Sequence, residues 1–258
     1  MAKGTGSDAV TEHLTSALAL RLRPRSGARD AALFDIAQDT TQSRAQRVTG
    51  ALEAAFHPPE RAPSAPGWAR HLSIPDRQIA LMRLALDHGN WPAWFVAECE
   101  ACAAPIDLRV HADEFTATEA RLPTPRRLRV EGPGGPLSFS VPTGAEEEAL
   151  SGGPPGMSLL TLCGLPREAD PEDWDAALSA ALAPVLPTIR AELRFACPEC
   201  QAGTGWWFDP LSWIARHTRD CFANVDLLAR RYGWSEAEIM ALPTARRRVY
   251  LSMAGAGA

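Results

Sequence analysis

The chain has 258 residues, 46% of them hydrophobic and 22% charged, which is ordinary globular composition with enough length for a sizeable core. It has no apolar run of about 18 residues, which excludes a helical membrane anchor and argues against membrane insertion. The net charge of −5 argues against nucleic acid held by overall charge, since phosphate binding would need local clustering of cations. The opening residues Met1 to Gly6 lack the apolar core of a secretion signal, so a reducing, cytoplasmic setting is expected. In that setting six cysteines point to metal before disulfides.

In chain order, residues 1–30 mix small polar residues with Arg21, Arg23, Arg25 and Arg29, and partial disorder is expected there, with a short helix near Leu14, Leu18 and Leu20. From Ala31 to Phe56 the apolar spacing is helical and stops at His57-Pro58-Pro59. The stretch Pro58 to Gly67 holds four prolines and reads as a linker. Ser73 then caps a helix through Ile79, Leu81, Met82, Leu84 and Leu86, with Gly89 just past its end.

The period then changes. Ile106, Leu108 and Val110 alternate with polar residues, and Leu128 and Val130 alternate up to a Gly132-Pro133-Gly134-Gly135 turn, followed by Leu137, Phe139 and Val141. These are strand and hairpin signals. Thr143 caps a helix that the glycines and prolines from Gly152 to Gly156 break, and Asp170-Pro171 opens another with Trp174 and Leu178. Asp209-Pro210 starts a long amphipathic helix with Leu211, Ile214, Phe222, Val225 and Leu228 on its stripe, ending at Tyr232-Gly233. Ser235 to Glu238 is a capping box, and a last helix runs from Arg246 to Met253 before an alanine-glycine tail. The expected fold class is α+β, a split zinc-ribbon-like β region with flanking helices and a C-terminal helical hook. Its expected divisions are 1–65, 66–209 and 210–258.

The residues that carry chemistry are two C-x-x-C knuckles, Cys99-Glu100-Ala101-Cys102 and Cys197-Pro198-Glu199-Cys200. Two such turns facing each other present four thiolates in tetrahedral array, the arrangement of a structural Zn²⁺ site. Their separation far exceeds the usual 15 to 20 residues, so the ribbon would be split by an insertion. A rival ligand set is Cys197, Cys200, His217 and Cys221, the last two one helical turn apart. Cys163 reads as a buried free thiol. Glu146-Glu147-Glu148 reads as a solvated helix start, and Trp206, Trp207 and Trp234 as packing residues.

No phosphate-cradling glycine loop, nucleophile elbow or metalloprotease motif is present. A four-cysteine zinc leaves no position for a reacting water, so no catalytic residue is assigned and no enzyme activity is expected. A hydrolase would need the Cys/His alternative. Arg246-Arg247-Arg248 leaves open a zinc-ribbon regulator that binds nucleic acid.

Taken in order, further motifs accompany the knuckles: Leu72-Ser73-Ile74-Pro75-Asp76-Arg77, Val141-Pro142-Thr143-Gly144-Ala145, Phe208-Asp209-Pro210-Leu211, Leu227-Leu228-Ala229 and the run Tyr232 to Ile239. Leu242, Arg246-Arg247 and Tyr250-Leu251 complete the series. Over roughly residues 70–253 the chain resembles baseplate-associated proteins of contractile phage tails and phage-like contractile injection systems, related to the T-even baseplate hub and hub-assembly proteins. The resemblance implies a non-enzymatic structural component or assembly factor, with hub, spike or tube proteins as partners. It also implies residence in the cytoplasm during assembly or in the particle itself. Carried over by position, Cys99, Cys102, Cys197 and Cys200 match the family's knuckles. Tyr232, Trp234, Arg246, Arg247, Arg248 and Tyr250 are the expected partner-binding residues. The chain departs from the pattern in placing Ala103 and Gln201 where a glycine usually follows each knuckle, and in having Cys221 and Asp226 in the long helix.

Overall fold

The computed structural model describes residues 13–59, 66–153 and 157–255. The first residues, much of the proline-rich stretch, part of the Gly152–Gly156 run and the last of the tail lie outside them. The part of the N-terminal region that is described packs closely. The Leu14 N–H donates to the Thr124 carbonyl at 2.8 Å. Ala17, fully buried, donates its N–H to the Asp76 carboxylate at 2.8 Å, and Arg83 donates to the carbonyls of Ala17 and Leu20. Part of the segment for which partial disorder is expected lies outside the described residues; from His13 onward, Leu14, Ala17 and Leu20 are tied to the rest of the fold through their backbone.

Helix α1 (Gly27–Gln38) opens on Ser26, whose hydroxyl accepts the Arg29 N–H at 3.1 Å. It stops at Asp39, whose carboxylate takes the Thr41 N–H, the Thr41 hydroxyl and the Gln42 amide. A capping box between Ser43 and Gln46 then starts α2 (Arg44–Ala55). The single helical pattern from Ala31 to Phe56 is thus two helices, because local capping chemistry interrupts an apolar period that continues across the break. Helix α3 (Ile74–His88) begins on Ser73 and meets Gly89 at its C-cap, as its sequence signals require.

Strands β1 (Ala93–Glu98) and β2 (Pro105–Val110) form an antiparallel hairpin, and β3 (Ala117–Thr118) follows. The hairpin of β4 (Arg127–Gly132) and β5 (Gly135–Ser140) turns at the expected glycines, where Gly135 has φ +99°. Next come α4 (Gly144–Ser151), α5 (Leu159–Leu162) and α6 (Pro171–Leu182), then β6 (Thr188–Ile189), which pairs with β3. Strands β7 (Glu192–Ala196) and β8 (Gly203–Trp207) make a further hairpin. The long helix α7 (Pro210–Tyr232) ends on Gly233 in the left-handed region, and α8 (Glu236–Ala241) and α9 (Thr244–Met253) close the chain. Among the described residues the strands form four two-stranded antiparallel sheets, so the fold mixes helices with small sheets.

The main hydrophobic core joins α1, α2, α3, the β1–β2 hairpin and the start of α7 through Leu33, Leu52, Phe56, Leu84 and Ile214. Each side chain of this size contributes about 1.5–3 kcal/mol on full burial. This core draws on all three segments that composition separates. A second cluster seats Trp174 and Leu178 of α6 against Val130 and Phe139 of the β4–β5 hairpin. Gly132 is required there, because a Cβ at that position would lie 2.3 Å from the Trp174 ring. Cys163 is a buried free thiol in this cluster, and burial pushes its pKa up to about 12.

The acidic run at the start of α4 is not a solvated helix end. Glu146 closes a capping box with Thr143, Glu147 pairs with the Arg77 guanidinium at 3.2 Å, and Glu148 accepts the Thr49 hydroxyl at 2.5 Å. Arg77 is 1% exposed and also donates to the Ala45 and Ala69 carbonyls. The run therefore neutralises a buried cation that joins α2, α3 and α4. No helix among the described residues is long and apolar enough to cross a membrane.

Candidate metal centre

The β1–β2 and β7–β8 hairpins carry the C-x-x-C segments in their turns, and the two turns are built alike. The Cys99 N–H donates to the Ala104 carbonyl at 3.0 Å and the Ala103 N–H returns to the Cys99 carbonyl at 2.9 Å. At the second turn the Cys197 N–H donates to the Ala202 carbonyl and the Gln201 N–H returns to the Cys197 carbonyl, both at 2.9 Å. Ala103 and Gln201 sit at φ 56° and 62°, the left-handed conformation for which glycine is the usual choice. Both non-glycine residues thus adopt the left-handed conformation, and the two turns keep the same hydrogen-bond pattern.

Folding brings these turns together over a long separation. Cys102 and Cys197, 95 positions apart, have sulfurs 3.7 Å from each other, and so do Cys99 and Cys200, 101 positions apart. All four Sγ atoms lie within 4.8 Å of one another. A metal–thiolate bond of about 2.3 Å in a tetrahedron sets neighbouring sulfurs about 3.8 Å apart, so the spacing suits one ion bound by four thiolates. The first cysteine of each knuckle is buried and the second exposed, which leaves the group at the protein's edge, backed by Ile106, Leu108 and Phe195.

Electrostatics fit the same use. The Thr204 hydroxyl donates to Cys99 Sγ at 3.5 Å, and this bond, with the Cys102 and Ala101 N–H groups, lowers the Cys99 pKa to about 6. Cys102 behaves oppositely: although the Ala104 N–H favours its thiolate, the neighbouring Cys200 sulfur and burial push it up to about 12. Cys99 ionises readily, and the neighbouring sulfurs oppose ionisation of Cys102. A divalent cation among the four sulfurs removes that opposition. The four cysteines could therefore hold a metal ion.

The rival ligand set is not assembled. Among the described residues the group of possible ligands consists of the four knuckle cysteines, without His217 or Cys221. His217 lies on α7 with its ring 3.7 Å from that of Trp213 and its Nδ1 2.9 Å from the Trp213 carbonyl. Cys221 is buried further along α7, where burial and the charge of Asp30 push its thiol up to about 11.

The residues expected to bind partners are divided. Tyr232 and Trp234 stack with ring centroids 4.8 Å apart, and Tyr250 meets Trp234 edge-on at 4.8 Å. Arg246 and Arg248 are exposed. Arg247 is buried, with a terminal nitrogen 3.7 Å from the Asp30 carboxylate and another 4.0 Å from Met240 Sδ. It belongs to an internal cluster in which His88 Nε2 lies 3.2 Å from Asp30, and Arg29 bonds Asp87 at 2.8 Å. Arg247 therefore fastens α9 to α1, and the exposed arginine patch at the C-terminus consists of the two flanking residues.

Sequence reasoning did not find Thr204, whose hydroxyl donates to the thiol cluster from β8, nor the buried partners of Arg247. It also read Trp207 as a packing residue, yet Trp207 is 68% exposed. The pattern Trp206-Trp207-Phe208 held one usable signal, because on a strand the middle residue must face away from its neighbours. Compared with models of protein families, with curated proteins and with solved structures, the chain matches none.

Proposed function

We propose that this protein is a non-enzymatic structural component or assembly factor of a contractile, phage-tail-like baseplate, with a split zinc ribbon as its staple. Zn²⁺ is the metal that best suits four thiolates in closed tetrahedral array outside a redox role. Cys99, Cys102, Cys197 and Cys200 would hold it, and the ion would supply folding energy, leaving no coordination position for a reacting water.

The observation that carries the reading is the junction of two hairpins about a hundred positions apart through one thiol cluster at the edge of the molecule. Such a junction rigidifies a surface without building a catalytic cleft, as a part that docks to others requires. The resemblance of the motifs between residues 70 and 253 supplies the particle and the partner class, namely hub, spike or tube proteins, with assembly in the cytoplasm. The nucleic-acid-binding reading loses support with Arg247, since only Arg246 and Arg248 remain exposed.

The test is mass spectrometry of sedimented, sheath-containing particles beside the soluble fraction of the native host. Stoichiometric presence in particles identifies a baseplate component, and recovery only in soluble complexes with hub or tube proteins identifies an assembly factor. Association with neither defeats the reading.

A further inference from the structure

A groove of about 470 Å³ runs between the two cysteine-bearing hairpins and the first turns of α7. One wall is Trp94-Phe95-Val96 of β1 and the other Trp206-Trp207-Phe208 at the end of β8. Neighbouring residues on a strand face opposite sides of a sheet, so a wall made of three consecutive residues is the strand's edge and not its face. Both edges are unpaired: among the described residues β1 bonds only to β2, and β8 only to β7. Each edge therefore carries backbone N–H and C=O groups that no neighbouring strand takes up.

Its apolar character is unusual for exposed strand edges, which proteins normally protect with charge or proline. Trp94 is 67% exposed, Val96 68% and Trp207 68%. Beneath them Phe95 and Trp206 meet with ring centroids 4.6 Å apart and make an apolar floor. At the α7 end the lining turns basic. Arg216 is shared with a neighbouring hollow of about 360 Å³ that Arg44, Arg47 and Arg219 also line. Asp209, the acid within reach, is already held by Arg44 at 2.7 Å and by the Ser212 hydroxyl at 2.5 Å. Arg216 and Arg219 are exposed and form no ion pair with a carboxylate among the described residues.

We infer that this groove is a docking site for an extended segment of a partner protein that alternates apolar with other side chains and carries an acidic residue at one end. The segment adds as a strand to the free edge of β1 or β8. Its main chain bonds the edge, its apolar side chains lie on Phe95 and Trp206 under the Trp94 and Trp207 rings, and its carboxylate meets Arg216. Charge complementarity selects this occupant. A nucleic acid strand would find aromatic rings and arginines, but it would also pass the exposed Glu98 and Asp107 on the β1–β2 hairpin, in a chain of net charge −5.

The inference deepens the docking reading by assigning it a surface, and purified protein tests it apart from any particle. The full-length, metal-loaded chain is panned against a displayed random-peptide library. Enriched peptides are then measured by fluorescence anisotropy against the native protein and the variants Trp207→Ala and Arg216→Glu, both at exposed positions. Retained metal and an unchanged melting curve establish that the variants fold. The expected result is enrichment of peptides with apolar residues at alternate positions and a terminal aspartate or glutamate. Binding should weaken at least tenfold in each variant, and amides of β1 or β8 should gain protection from hydrogen exchange. Enrichment of helically spaced or acid-free sequences, no enrichment, or binding indifferent to both variants overturns the inference. A thymidine oligonucleotide that binds through Arg216 where the peptides do not would overturn it in favour of nucleic acid. None of these outcomes bears on whether the protein is found in particles, so the two readings fail separately.

Discussion

Ala103 and Gln201 hold equivalent positions, each the residue after the second cysteine of its knuckle, and both are left-handed, at φ 56° and 62°. A Cβ in that region is strained by roughly 1–2 kcal/mol, and glycine relieves the strain at some cost in unfolded-state entropy. Ala103→Gly and Gln201→Gly should each raise stability by about 0.5–1 kcal/mol, additively, in denaturant melts of the metal-loaded protein. Destabilisation by either change would mean that the turn geometry described is not the native one.

Acid should loosen the junction between α1 and α9. Burial opposes ionisation of Asp30, but His88 bonded to the carboxylate, with Arg25 and Arg29 nearby, holds its pKa below the ordinary value of 3.8. A carboxyl whose folded pKa lies below its unfolded one contributes stability above the unfolded pKa and loses it as pH falls through the folded one. Asp76 acts oppositely: burial raises its pKa, so its contribution is greatest at low pH and is lost as pH rises through the folded value. The comparison of the native chain with Asp30→Asn isolates the first effect. The variant should be less stable at neutral pH by about 3 kcal/mol, as when one partner of a buried ionic cluster is removed, and the difference should shrink below about pH 4. A difference that stays constant with pH would contradict the role given to Asp30.

The Arg77 guanidinium occupies a fitted cage. A Cβ on Gly144 would lie 2.2 Å from its terminal nitrogen, and the group cannot move aside without losing Glu147 and the Ala45 and Ala69 carbonyls. Gly144→Ala and Arg77→Met should therefore both destabilise, the arginine change by about 3–5 kcal/mol because it strands buried acceptors and a carboxylate. The double variant should cost much less than the sum, since each change breaks the same cage. Additive losses would show that the two residues act independently.

Elements that announce themselves through capping and periodicity were legible in the sequence. Ser73 with Gly89, Asp209-Pro210 with Gly233, and the Ser235–Glu238 box bound helices as read, because those signals act within a few residues. The knuckles were legible as well, since two-residue spacing is a local requirement of ligation. What escaped depended on distant partners. The break between α1 and α2 rests on Asp39 and Ser43, short polar residues within a continuing apolar period. The burial of Arg247 depends on Asp30, more than two hundred positions away, and the neutralised run Glu146 to Glu148 depends on Arg77 and Thr49. A charge does not reveal in sequence whether it meets water or a counter-charge. The exposure of Trp207 is different in kind, since strand alternation, a local signal, sets it opposite Trp206.

Under the proposed function, four cysteines from two distant hairpins bind one ion that holds those hairpins together. Native mass spectrometry with elemental analysis of the purified full-length chain tests it most directly, before and after chelation and in the variants Cys99→Ser, Cys197→Ser and His217→Ala. The expected result is one zinc per chain, lost with comparable destabilisation in both serine variants and retained in His217→Ala, and chelation that unfolds the two hairpins. A chain that binds no metal, or one whose metal is lost in His217→Ala and retained in Cys99→Ser, would contradict it.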